Sequence, residues 1–264
     1  LFLLHGSNYL FIFVDRFFAS FLNSGDMSAL AYATTIIIII PSIVGIPYYF
    51  LTLYSDENES PNKSRKVNDM MSLVIFFSIP SIIFILFFSD NFISFLFERG
   101  KFTGEDTVRV FSILQALSIM IIPLLLQRAI DQVFQVENKL YIIVKRTIFG
   151  LILNIFLNYV ALFFFGLGVF GIALATSLAN IVVLILSLIS LQELQIKIFW
   201  YRHLKWIVWL LMCNFTIILF DYFITSKHFS DIIELLVAVL LFLTIIPVSL
   251  IIYSGYERQL IQKV

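Results

Sequence analysis

The strongest constraint on this chain is a succession of long apolar runs separated by short polar breaks. Crossing the hydrocarbon core of a bilayer, about 30 Å, takes roughly 20 apolar residues in a helix. Runs of that kind recur near 1–22, 28–54, 70–89, 108–136, 140–165, 168–191, 206–224 and 231–253. Hydrophobic residues make up 61% of the sequence and charged residues only 13%, a balance foreign to water-soluble domains. The pattern predicts an all-α, polytopic transmembrane helical bundle of about eight spans.

Basic residues orient the bundle. If the first residue is cytoplasmic and every span crosses once, one set of alternate loops receives eleven of the 17 lysines and arginines and the other receives four. The remaining two, Arg16 and Arg128, fall within spans. Cytoplasmic loops carry the excess of basic residues, so the split predicts a cytoplasmic C-terminus. The polar stretch "YSDENESPNKSRKVND" reads as a solvated cytoplasmic connection, and the apolar "FISFLF" as a segment lying along the opposite interface. Thr103 followed three residues later by Asp106 has the spacing of a capping box. Gly166 and Gly168 suit a tight helix–helix turn.

Several function classes fall away. Net charge is zero, which gives no electrostatic footprint for nucleic acid. One cysteine and three dispersed histidines predict no metal site and no cofactor. No nucleophile elbow, zinc-protease motif, Walker loop or paired carboxylates indicate catalysis. The chain has no initiator methionine and no signal peptide, and reads as the C-terminal portion of something larger.

What remains is polar chemistry inside the membrane, where an ionisable residue costs at least about 2.5–3.5 kcal/mol and marks a functional position by default. Asp15 and Arg16 are adjacent in the first span, about 100° apart on the helix, so they address different neighbours. Either they snorkel to the headgroups or they face a hydrated cavity. Arg128 and Asp131, three apart, can pair on one face as a structural ion pair or as a cytoplasmic gate. Asn154, Asn158 and Asn180 read as amides that glue helices together. Pro41, Gly45 and Pro47 interrupt the second span, and Pro80, Pro123 and Pro247 lie in others, as in transporters that use broken helices.

The runs "VDRFFASFLNSGDMSALAYA", "FERGKFTGEDTVRVFSILQALSI" and "GLGVFGIALATSLANIV" resemble, in order, the second half of the MurJ/MviN family, bacterial lipid II flippases of the MOP exporter superfamily. The resemblance implies helices seven to fourteen of a fourteen-helix fold, with an N-terminal six-helix lobe as partner. Residues 1–192 would then form a MATE-like transport lobe. Residues 193–264 would form two additional helices with a groove for the lipid tail. The implied cargo is an undecaprenyl-pyrophosphate-linked saccharide, moved across the inner membrane by alternating access among membrane lipids.

The same resemblance implies that Asp15, Arg16, Ser20, Thr34 and Thr35 border the substrate cavity. Many family members carry an arginine where this chain has Thr34 and Thr35, and Arg16 is the nearest replacement. That departure keeps two alternatives open: a flippase for another lipid-linked glycan, and a non-transporting paralogue.

Overall fold

The computed structural model describes residues 2–44 and 60–201, with scattered positions from 203 to 215. The seventh and eighth predicted spans, Gly45 with Pro47, and Pro247 lie largely or wholly outside the described residues. Within them the order is α1 (Phe2–Ala19), α2 (Ser24–Val44), α3 (Ser60–Phe97), α4 (Gly104–Ser118), α5 (Ile121–Val136), α6 (Leu140–Tyr159) and α7 (Gly168–Ser190). A π-helical turn, Val160–Phe164, extends α6, and a 3-10 turn, Leu191–Leu194, follows α7. No strand is present among the described residues. Among the described residues, three helices are long and apolar enough to cross a membrane, or four spans if the bent pair α4/α5 counts as one.

Two stretches fold differently from the sequence reading. Residues 60–69, expected to be a solvated connection, form the first turns of α3. Val67 and Asn68 are buried there, and Lys63 pairs with Glu137 at 2.7 Å. "FISFLF", expected along the interface, continues the same helix to Phe97, with Ile93 fully buried. At a rise of 1.5 Å per residue, α3 is about 57 Å long, well beyond the hydrocarbon thickness. Its ends therefore extend beyond that thickness while remaining packed on neighbours.

The fourth predicted span is two helices bent by 47°. Pro123 sits in the first turn of α5, where its missing N–H is one that no helical carbonyl would have accepted. The break frees carbonyls of α4, and α7 supplies a replacement donor: Ser177 Oγ donates to Ala116 O at 2.8 Å. The capping box at the start of α4 is formed, with the Thr103 N–H donating to the Asp106 carboxylate at 3.0 Å. At the α6–α7 turn, Gly166 and Gly168 adopt φ of 62° and 58°, the left-handed conformation expected of them.

α7 is the centre of the bundle, packing on α1, α2, α4, α5 and α6. Its buried face carries Gly171, Ala173, Ala175, Ser177 and Ala179. Such small side chains let several backbones approach one helix closely, the usual basis of packing where lipid removes the hydrophobic drive.

Candidate functional site

A polar cluster lies between α1, α6 and α7. Asp15 is 8% exposed, and its partners Asn154, Asn158 and Thr176 are 0%, 0% and 4% exposed. The Asn158 amide donates to Asp15 Oδ1 at 2.9 Å, and the Asn154 amide reaches the same oxygen at 3.3 Å. Thr176 Oγ1 is 2.8 Å from both carboxylate oxygens. Asn154 and Asn158 meet one carboxylate because four residues bring them to the same face of α6. Asn180, one turn beyond Thr176 on α7, donates to the Thr176 carbonyl at 2.9 Å. Its own carbonyl accepts from Gln127 of α5 at 2.7 Å. A continuous polar path thus runs from Asp15 through α7 to the helix beyond the break.

The donors around Asp15 are all neutral, and among the described residues no cation pairs with it. A buried carboxylate without a cationic partner is strongly disfavoured unless it takes up a proton or a small cation. The surrounding oxygens are hard donors: the carboxylate, the Thr176 hydroxyl and the buried Asn158 Oδ1, which has no partner. That set fits a proton or an alkali-type ion and not a soft transition metal. Among the described residues, no three His, Cys, Asp or Glu side chains gather as a metal site.

Arg16 points elsewhere. It is exposed and its side chain makes no hydrogen bond or ion pair among the described residues, in contrast to the buried, fully engaged Asp15. Ser20 is exposed at the end of the same helix and donates to the Phe17 carbonyl at 2.6 Å. Thr34 and Thr35 turn their hydroxyls back onto α2, donating to Leu30 O at 2.6 Å and Ala31 O at 2.8 Å. Arg16 lies about 5 Å from the end of α1, whereas Thr35 lies about 17 Å along α2 from the same turn, at 1.5 Å per residue. The backbone positions of Arg16 and of the two threonines are therefore at different distances from the turn that joins α1 and α2.

The expected pairing of Asp131 with Arg128 is corrected. Asp131 pairs with Arg146 of α6, which is 5% exposed and lies over the Phe134 ring at 5.0 Å. The α5–α6 turn brings these helices together, so the tertiary partner displaces the local one. Arg146, counted in the sequence as a loop charge, is a buried helix residue. Thr176 and Arg146 are the residues that sequence reasoning passed over. Threonine in an apolar helix carries no signal of its own, because its hydroxyl can always bond its own backbone.

The chain matches the protein family described as "Lipid II flippase MurJ" over residues 1–252. It is 29% identical over 237 residues to the lipid II flippase MurJ of Thermosipho africanus, covering 89% of this chain and 46% of that protein. It is 30% identical over 178 residues to the probable lipid II flippase MurJ of Buchnera aphidicola subsp. Baizongia pistaciae, covering 66% and 34%. The chain thus spans about half the length of the curated relatives it matches, or less. A solved structure of a lipid II flippase MurJ in an inward closed conformation superposes with a TM-score of 0.79. That match has 24% identity and covers 98% of this chain and 53% of the other. An outward-facing multidrug resistance MATE transporter of the MOP superfamily superposes with a TM-score of 0.60 over 72% of this chain. A bundle centred on α7, with a charged cluster held inside it and homology across 252 residues, places this chain in the MurJ family.

Proposed function

We propose that this chain is the second transport lobe of a flippase that carries lipid II, an undecaprenyl-pyrophosphate-linked saccharide, across the bacterial inner membrane by alternating access. It works with an N-terminal six-helix lobe. Residues 193–264 supply two further helices for the lipid tail, and the C-terminus is cytoplasmic. The observation that carries this reading is the Asp15 cluster. A MurJ-family bundle that keeps a carboxylate buried between three helices, with only neutral donors around it among the described residues, is built to respond to something that neutralises it.

The chain's own residues have distinct parts in this reading. Asp15, Asn154, Asn158 and Thr176 hold α1 against α6 and α7 in a way that depends on the charge of one carboxylate. Arg16, exposed on the other side of α1, faces the headgroup path, where a guanidinium suits phosphate oxygens. The Arg146–Asp131 pair closes the cytoplasmic end of α5 and α6.

A second reading rests on Thr34 and Thr35. Both hydroxyls are engaged with their own helix, so this stretch of α2 offers the cargo no charge. A lipid-linked glycan other than lipid II would tolerate that arrangement. Expression of the complete protein in a bacterium depleted of its lipid II flippase separates the readings. Survival with continued wall synthesis is expected. Lysis despite correct membrane insertion would remove lipid II as cargo, leaving another glycan or a non-transporting relative.

A further inference from the structure

Beyond the end of α7 the chain forms an open pocket of about 460 Å³. One wall is apolar, from Leu188, Ile189 and Ile198, and the lip carries Gln192, Lys197 and Trp200. The lip is rigidly set. Asn68 of α3 donates to the Lys197 carbonyl at 2.7 Å and accepts the Phe199 N–H at 2.7 Å, while Ser64 Oγ accepts the Lys197 N–H at 3.1 Å. His203 Nε2, 3.0 Å from the same Asn68 oxygen, adds a fourth bond. That oxygen already accepts from a backbone N–H, so the His203 nitrogen facing it must carry a proton.

This clasp fixes the backbone of Lys197 and leaves its side chain exposed, with no acidic partner among the described residues. Trp200 and Tyr201 are 60% and 73% exposed beside it. Tryptophan and tyrosine concentrate at the headgroup level of a bilayer. The pocket also lies at the end of the bundle where Lys139 and Tyr141 meet Glu193, the side that receives most of the basic loops.

We propose that this pocket binds an anionic phospholipid of the cytoplasmic leaflet. Lys197 takes the phosphate, Gln192 and Trp200 flank the headgroup, and the first part of an acyl chain lies along Leu188, Ile189 and Ile198. The cytoplasmic leaflet is the anionic one, and a lone ammonium on an apolar wall matches a phosphate on an acyl chain. The pocket opens beside the segment proposed above for the transported lipid's tail, so the test sets the resident phospholipid against a prenyl phosphate.

The test uses the complete protein in nanodiscs of phosphatidylcholine with a minor fraction of phosphatidylglycerol. Lipids retained after mild detergent extraction are counted by native mass spectrometry. Phosphatidylglycerol is expected to be retained over phosphatidylcholine. Lys197→Gln should lower that retention about fivefold, the worth of one basic residue at an anionic surface, and Lys197→Arg should preserve it. Trp200→Ala, at an exposed position that the fold tolerates, should weaken retention with Lys197 intact. Equal retention of the two lipids, or unchanged retention in both Lys197→Gln and Trp200→Ala, would overturn the proposal. So would preferential retention of undecaprenyl phosphate when it competes with phosphatidylglycerol.

Discussion

Asp15 and Arg16 show how far one position along a helix separates two charges. A rotation of about 100° puts the carboxylate among two asparagines and a threonine, and the guanidinium on the open face. Their substitutions should therefore fail differently. Asp15→Asn is isosteric but cannot change charge, so the complete protein should insert normally and lose transport to the level of an empty vector. Arg16→Ala removes no side-chain hydrogen bond or ion pair among the described residues, so thermal stability should be unchanged while transport falls. Flippase assays on reconstituted vesicles, with melting curves on the same samples, distinguish the two. Equal transport by Asp15→Asn and the unaltered protein would remove the carboxylate from the mechanism. Polar residues in apolar runs made Asp15, Asn154 and Asn158 legible in the sequence. Their convergence was not, since it depends on which helix face meets which neighbour. Thr176 was hidden for the same reason, and Asp131 drew the wrong partner because sequence proximity favours Arg128 where the fold supplies Arg146.

At the scale of elements, hydrophobic runs fixed the number and approximate limits of α6 and α7 well, because both are uniformly apolar with glycines at their junction. They failed at α3, whose charged first turns and apolar last turns pack on neighbours that a hydropathy reading does not see. The α6–α7 hairpin also shows how closeness is achieved. A Cβ added at Gly150 would strike the Val183 side chain and come within 3.2 Å of the Phe11 ring. Gly150→Ala should therefore force α6 away from α7 and destabilise the lobe by about 1–3 kcal/mol, the usual penalty of overpacking. Val183→Ala in the same background should restore much of the loss, because it removes the atoms that are struck. Thermal unfolding in detergent of the single and double variants checks this. A double variant no more stable than Gly150→Ala would show that the ring of Phe11, and not Val183, sets the spacing.

For the whole molecule, the proposed alternating access poses the question of which parts move. The described helices are tied near both ends. Asp15 joins α1 to α6 and α7 at one level, while Lys63–Glu137 and Arg146–Asp131 join α3, α5 and α6 at the other. Between them, Ser177 and Gln127 link α7 across the bend to α4 and α5. Packed interiors of this kind shift between discrete arrangements and do not deform continuously. The bend of 47° is accordingly a fixed shape, its freed carbonyl already bonded by Ser177, and not a hinge waiting to open. The lobe should then move as one body against its partner. Spin labels at the exposed Val108 of α4 and Ile189 of α7 report on this through pulsed dipolar spectroscopy of the complete protein. Their distance distribution should stay the same in the inward- and outward-facing states, while a pair with one label in the N-terminal lobe shifts. Movement of the Val108–Ile189 distance would place the hinge inside this lobe at the α4/α5 break. The same measurement in Ser177→Ala, which leaves the Ala116 carbonyl without that donor, should then broaden the distribution even if the unaltered protein shows none.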